Sequence, residues 1–566
     1  MIVCRLRFTL CLCLIVAPLA VNAATPRGVV SAADPRAAAA GAEMLRRGGS
    51  ATDAAIAMML ALAVVEPQSS GLGGGGFLVT GSATGKVDSY DGRETAPRAA
   101  TPQWFYRDGV VLDHGAAVPG GRSVGVPGNL ALAALAHARH GRLPWARLFD
   151  PAISLARDGF AVTPRLNATL AMFTATVGID PAGRALWLDS SGAARAVGSV
   201  VRNPALARIL QQVARQGPRA FYTGANAAAI ARRVATSPVN PAPLTVADIT
   251  AYRARAVPPV CAPYRQWRVC TMGPPSAGGI AVLQVLGMVQ RFDLKALGPA
   301  NPVAWHLLAE AERLAFADRD RYGADAAFVP VPVKGLLDPA YIAARSALID
   351  PATTLPHAAP GTPAGADPAF AMAAPVDEHG TTHFVAVDAR GNVASYTATV
   401  ESGFGSGLVV NGYLLNNELT DFNLVPDIAG KPTANRVEPG KRPRSSMSPI
   451  VVYDAAGHVR LAGGAGGGAT IPAQVIRLVI GTLDWGMDAR TAIAQSVVFP
   501  TGSTSTEALL VEAGSSLEPM IPALTALGHT NTIARPLRLK ANAVEATAQG
   551  WRGAADPRSE GAAASP

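Results

Sequence analysis

The residues of this chain best placed to do chemistry begin at Gly380-Thr381-Thr382-His383-Phe384-Val385-Ala386-Val387-Asp388. Two hydroxyl residues follow a glycine and lead into an alternating, β-branched run, which predicts a strand. Asp388-Ala389-Arg390-Gly391-Asn392 reads as a turn and Val393 to Val400 as the returning strand, so the unit is a β-hairpin. Upstream, residues 350 to 376 are rich in Ala, Pro and Thr and predict an exposed, poorly structured arm. An arm of that kind, ending at Gly-Thr where a strand begins, has the form of a cleavage junction. The expectation is that the chain cuts itself between Gly380 and Thr381 and uses the freed threonine as its nucleophile. A threonine hydroxyl needs a base to take its proton. An N-terminal threonine carries its own, an α-amino group with a pKa of about 7.7–8.0. By alternation His383 shares a side with Thr381, in a packing or hydrogen-bonding role.

Other segments invite rival chemistries. Gly71, Gly73 and Gly76 have the spacing of a dinucleotide fingerprint, which requires a strand before it and a helix after. Here a helix precedes and an apolar strand follows, so the nucleotide reading is set aside. Gly121-Arg122-Ser123-Val124-Gly125 fits the G-x-S-x-G elbow, but no buried strand leads into it, and Val126-Pro127-Gly128 delays any helix. A Ser123 hydrolase is kept as an alternative. Leu461 to Thr470 predicts a glycine loop ahead of a helix from Pro472 to Leu483, with backbone N–H groups suited to an oxyanion. Arg93, after a strand and inside Asp91-Gly92-Arg93-Glu94, suits a carboxylate, either a structural glutamate or a substrate. On residue physics alone the structural pair is favoured. The nine histidines form no H-E-x-x-H or comparable spacing, so no metal and no cofactor is expected.

The elements that must position these residues follow from punctuation. Asp34 to Arg47 reads as an Ala-rich helix stopped by Gly48-Gly49, and Ser50 or Thr52 caps a second, apolar helix ending near Val65. Amphipathic helices are predicted over 129–160, 204–235, 302–323 and 338–349, and a strand over Ile450 to Tyr453. No internal repeat is visible. Residues 1 to 23 have the basic start, the apolar core and the Val21-Asn22-Ala23 ending of a secretory signal, too short to span a membrane. Export to the periplasm or medium is expected. Of five cysteines, only Cys261 and Cys270 remain after that segment. A hairpin turning near Arg265-Gln266 sets them opposite each other, and an oxidising compartment favours a structural disulfide. At 49% hydrophobic and 16% charged, the 566 residues suit a globular enzyme. The formal charge of +9 is scattered, apart from Lys441-Arg442-Pro443-Arg444, which argues against a nucleic-acid surface.

Taken together, the motifs resemble the γ-glutamyltranspeptidases and their glutaryl-type cephalosporin acylase relatives. The carrying segments are Glu66-Pro67-Gln68 through Phe77, Gly92 to Pro97, Gly125 to Gly128, Pro274 to Gly279, Ala309-Glu310-Ala311-Glu312, Thr381-Thr382-His383, Leu415 to Glu418, Ser445 to Pro449 and Gly466-Gly467. The resemblance implies an α+β fold, a four-layer αββα sandwich of the N-terminal nucleophile hydrolase type. Residues 24–380 would form a large subunit and 381–566 a small catalytic one, together an intertwined heterodimer. It further implies γ-glutamyl transfer from Thr381 to water or to an amino-acid or peptide amine. Thr399 would orient Thr381, Gly466 and Gly467 would form the oxyanion hole, and Arg93, Ser445 and Ser446 would hold a substrate α-carboxylate. Glu418 and Asp421 would hold its α-ammonium.

Two departures bear on specificity. Glu401 stands where many relatives have Asn, and it either adds a third carboxylate to the site or turns away to an arginine. The 422–444 loop is short and has no aromatic residue after Phe422, which opens the acceptor side and makes hydrolysis more secure than transpeptidation. Asp421 favours an amino-acid donor. Glu401 and the short loop leave a glutaryl-amide acylase as the alternative.

Overall fold

The structure is a computed structural model that describes residues 28–373 and 380–566; the signal-sequence reading of residues 1–23 lies outside the described residues. The order of elements is α+β, with two antiparallel sheets that exchange no strands. The first runs, edge to edge, Ala562–Ala564, Val29–Ala32, Thr382–Val387, Val393–Thr399, Gly75–Gly81, Val87–Asp91, Arg255–Val257. The second runs Gly550–Ala555, Lys540–Thr547, Val459–Gly466, Ile450–Tyr453, Trp267–Thr271, Val260–Tyr264. The strand that begins at Thr382 therefore sits near the middle of its sheet, between Val29–Ala32 and its own hairpin partner.

The hairpin's alternation explains its composition. Phe384 and Ala386 join a core cluster with Ile56 and Leu60 of the helix Ala51–Val65. Val385 and Val387 join another with Val451 and Leu461 of the second sheet. Both faces are dry, so all of Thr382–Val387 is buried. Thr381 and His383 fall on the side facing the second sheet. There the glycines of Val459–Gly466 answer them: a Cβ on Gly464 would stand 2.6 Å from the His383 ring, and one on Gly466 2.4 Å from Thr381 O. The expected glycine loop is thus a strand as far as Gly466, followed by a short 3-10 turn and the helix Ile471–Leu483. Its glycines let two sheets approach rather than freeing a loop.

Local signals give the expected starts and stops. Ser50 accepts from Asp53 N while the Asp53 carboxylate accepts from Ser50 N, a reciprocal cap for Ala51–Val65. That helix is buried all round and packs on the first sheet; no helix among the described residues is long and apolar enough to cross a membrane. Cys261 and Cys270 are cross-strand partners and are disulfide-bonded, with Arg265 at the turn.

Four readings need correction. The 204–235 stretch is three helices, Pro204–Gln216, Arg219–Tyr222 and Gly224–Ala235, because Gly217-Pro218 and Thr223 interrupt it. The 129–160 stretch is two helices, Asn129–His140 and Asp150–Asp158, because Gly141 and Pro144 interrupt it. Pro302–Tyr322 is not amphipathic: it is buried on nearly every side, charged residues included. The 350–376 arm is irregular but anchored over its described part. Thr354 Oγ1 and Leu355 N donate to Glu310 at 2.6 and 2.7 Å, and Gly361 N donates to Asp318 at 2.8 Å. Polar grips from the buried helix replace the apolar contacts that its composition lacks.

Candidate active site

The junction is held in an unusual backbone shape. Gly380 has φ 79° and Thr381 φ 77°, a left-handed conformation that a β-branched residue rarely adopts. A Cβ at position 380 would lie 1.8 Å from Glu401 O, so only glycine fits there. Gly467 N donates to Gly380 O at 3.0 Å. Thr381 Oγ1 donates to Thr399 Oγ1 at 3.1 Å, and that oxygen also accepts from Glu401 N at 2.8 Å. The hydroxyl, its orienting partner and a donor on the neighbouring carbonyl are thus brought to one bond. Gly74 lies against Thr399 from the other side; a Cβ there would stand 1.9 Å from Thr399 O. The glycine run 71–76 is packing, as its helix-then-strand order predicts.

Behind Glu401, whose carbonyl Gly380 approaches, lies a buried cluster of Arg93, Glu418 and Asp421. Arg93, 1% exposed, pairs with both Glu418 and Asp421 and donates to Arg444 O at 2.6 Å and Pro443 O at 3.2 Å. Three of the predicted substrate-binding residues, Arg93, Glu418 and Asp421, are thus together and paired with one another. Burial holds Glu418 well above the usual carboxylate range, against the pull of Arg93. Glu401, at φ 75°, accepts from Asn417 Nδ2 and remains close enough to Glu418 to disfavour its charge. Ser445 is pinned by the helix start after Pro275: Ala277 N and Gly278 N donate to Ser445 O at 2.9 and 3.1 Å. Gly278 also packs closely on Ser446, where a Cβ would stand 2.1 Å from Ser446 O.

On the other side lies an open cavity of about 320 Å³, whose lining includes Gly380, Thr381, Gly467, Arg165, Arg538 and Lys540. Lys540 Nζ donates to Glu66 Oε1 at 2.8 Å and Ser69 Oγ at 3.1 Å. Burial lowers the Lys540 pKa to about 7. Burial also raises Glu66, but Lys540 and Arg165 outweigh it and keep that carboxyl low.

A family model described as Gamma-glutamyltranspeptidase matches residues 37–565. The chain belongs to the γ-glutamyltranspeptidase family. It is similar to the glutathione hydrolase proenzyme of Escherichia coli (strain K12), 36% identical over 476 residues, covering 82% of this chain and 80% of that one. Among solved structures, cephalosporin acylase from Bacillus halodurans matches with TM-score 0.81 at 26% identity, over 95% of this chain and 96% of that one. Helicobacter pylori γ-glutamyltranspeptidase matches with TM-score 0.55 at 34% identity, over 57% of this chain and 91% of that one.

This γ-glutamyltranspeptidase family member is an enzyme, and several of its site residues escape sequence reasoning. Gln474 is the clearest. Its Nε2 donates to Gly466 O at 2.8 Å while its Oε1 accepts from Lys540 N at 2.8 Å. Gly466 O and Gly467 N belong to one peptide plane, so Gln474 aims the N–H that meets Gly380 O. Glu94 is the second: burial raises its pKa to about 8 beside Arg93. Lys540 is the third, and nothing near it in sequence announces it.

Two readings resolve differently. Ser123 is fully buried in a 3-10 turn, donating to Val118 O at 2.6 Å and Gly120 O at 3.1 Å, so the elbow geometry is absent and the Ser123 hydrolase reading is withdrawn. His383 does share Thr381's side, bonded to Thr397 Oγ1 at 2.9 Å, and burial lowers its pKa to about 3, which keeps it neutral. Elsewhere His306, Glu310 and His529 converge with ligating atoms within 4.8 Å, a grouping their spacing hides. His306 Nδ1 meets His529 Nε2 at 2.8 Å and Glu310 takes Arg313, Thr354 and Leu355, so the cluster reads as a structural network.

Proposed function

We propose that the chain is a self-cleaving γ-glutamyl hydrolase and transpeptidase that acts on glutathione and related γ-glutamyl amides through an ester on Thr381. The observation that carries this is the meeting of Thr381 Oγ1, Thr399 Oγ1 and Gly467 N on the Gly380–Thr381 bond. In the precursor, Thr381 Oγ1 attacks the Gly380 carbonyl carbon while Gly467 N–H stabilises the oxygen. The C–N bond breaks, the Thr381 nitrogen leaves as an amine, and Gly380 is held as an ester. Water then opens the ester, returning the hydroxyl and leaving a Gly380 carboxylate. Residues 24–380 and 381–566 become two subunits of one αββα sandwich. Each would supply strands to both sheets, which supports their staying together.

In the mature enzyme the Thr381 amine takes the hydroxyl proton, the hydroxyl attacks the γ-glutamyl carbonyl, and Gly466 and Gly467 receive the oxyanion. A substrate α-carboxylate takes Arg93 with Ser445 and Ser446, and its α-ammonium takes Glu418 and Asp421. A free amino-acid head group thus replaces, charge for charge, the pairs that Arg93 makes without it. Export is proposed from the signal-like start, and the Cys261–Cys270 disulfide suits an oxidising compartment.

Purified protein should run as two bands on a denaturing gel and release glutamate from glutathione, more slowly per glutamate when a dipeptide acceptor diverts the ester. Thr381→Ala should remain one band and be inactive; a cut Thr381→Ala chain would end the self-cleavage reading. The glutaryl-amide acylase reading rests on the likeness to cephalosporin acylase and on the short 422–444 loop. Faster turnover of a glutaryl amide than of its γ-glutamyl counterpart would replace the first reading with the second.

A further inference from the structure

The base that serves the mature enzyme does not exist in the precursor. Before cleavage the Thr381 nitrogen is a peptide amide, its lone pair delocalised into the carbonyl of Gly380. Some other group must take the hydroxyl proton first. Thr399, which holds that hydroxyl, offers only a hydroxyl of its own, and His383 has its pKa lowered to about 3 by burial. Among the described residues that line the open cavity with Gly380 and Thr381, the ionisable side chains are Arg165, Arg538, Arg558 and Lys540. An arginine does not give up its proton in a protein, so of these four only Lys540 can serve as a base.

The fold brings Lys540 to the junction. It is the cross-strand partner of Gly466, the residue before the Gly467 donor. A Cβ on Gly466 would stand 2.4 Å from Thr381 O and 3.1 Å from Lys540 Cε, so the lysine stem and the junction press on the same point. Its amine is also placed to lose its charge. Arg165 Nη1 and Lys540 Nζ both lie 2.8 Å from Glu66 Oε1, so that carboxylate keeps a cation when Lys540 is neutral. A neutral amine has two N–H groups, enough for Glu66 Oε1 and Ser69 Oγ, and one lone pair left over to accept a proton. Burial and Arg165 lower its pKa to about 7, against the pull of Glu66.

We propose that Lys540 is the general base of the self-cleavage step, taking the Thr381 hydroxyl proton through one water of the open cavity. The proton leaves Thr381 Oγ1 as that oxygen bonds to the Gly380 carbonyl carbon, and Lys540 becomes an ammonium. As the C–N bond breaks, the ammonium returns the proton to the departing Thr381 nitrogen, and the neutral amine is restored. The assignment rests on the self-cleavage reading above. The charged groups that bear on Lys540 are Glu66 and Arg165, with Arg538 and Arg558 in the same lining.

Full-length precursor from cell-free synthesis in the cold would be moved to buffers from about pH 5 to about pH 9, and its conversion to two bands timed. The wild-type rate should rise with pH to about 7 and level off above it. Lys540→Ala should cleave about 10²-fold more slowly and regain rate when n-propylamine is added, in proportion to the free base. Lys540→Arg keeps the charge but cannot take the proton, and should stay as slow as the Ala variant. Cleavage of Lys540→Arg within about twofold of wild type, or a Lys540→Ala loss that no amine restores, would overturn the assignment. If the Ala variant fails to fold, Lys540→Arg and the wild-type pH series decide alone: a rate that does not change with pH overturns it. Thr381→Ala separates the two readings. If it is cut, self-cleavage falls and the base with it; if it stays whole while Lys540→Arg matures normally, only the base falls.

Discussion

The two sides of Thr381 are built on opposite plans. The Arg93 side is buried and internally paired, whereas the Arg538 side is open and lined by four basic side chains. Buried charges are tolerated only when paired, and removing one partner strands the other. A pocket sealed on those terms admits only a ligand that brings both charges itself. An exposed arginine imposes no such condition, and its attraction is graded and weakened by salt. The Arg93 side is therefore expected to set an all-or-none identity, and the Arg538 side to set a preference.

Substitutions can break this contrast, beginning with the largest effect. Arg93→Ala leaves Glu418 and Asp421 without their cation. It should lower kcat/KM for glutathione by about 10²–10³-fold and unfolding stability by about 3–5 kcal/mol, read from urea midpoints. A mild loss there would mean that the pocket is less sealed than its geometry indicates. Gln474→Ala frees the peptide plane shared by both sides. It should reduce kcat about tenfold on every donor, with KM little changed. A donor-dependent loss would assign Gln474 to the Arg538 side alone.

A smaller effect concerns Lys540, on the open side. Lys540 is charged below about pH 7 and neutral above it, so the cavity loses positive charge as pH rises through that value. The sign for stability is opposite. Because burial holds the folded pKa below the ordinary lysine value of 10.5, the unfolded chain binds the extra proton between the two values. The Lys540 contribution to stability therefore rises with pH across that window. The smallest effect lies outside both regions: Ser123→Ala should leave turnover within about twofold and cost about 1 kcal/mol for its lost backbone bonds. Loss of activity there would restore the elbow reading.

What the sequence revealed divides by distance along the chain. The hairpin that starts at Thr382, the Ser50 cap, the cysteine pair and the shared side of Thr381 and His383 all rest on neighbours a few residues apart. Lys540 and Glu66 are 474 residues apart, and the Gln474 contact to Lys540 spans 66. No local pattern marks either. The glycines of Val459–Gly466 show the same limit from the other side. Their composition reads as a loop because the reason for them is the opposing sheet, which lies elsewhere in the chain. The charges along Pro302–Tyr322 likewise suggest a wet face until the anchored 350–373 segment covers them.

Gly467 N–H, described above on the carbonyl of Gly380, has a consequence for how variants of this protein can be selected. On the proposed mechanism the chain is its own first customer, and the donor that serves later substrates is audited once on the chain itself. A precursor folded too loosely to seat that carbonyl stays whole and never acquires a free Thr381 amine. Maturation then acts as a one-time quality gate. A library screened for new donors would be filtered before any donor is added, and two-band material would be enriched in intact oxyanion geometry.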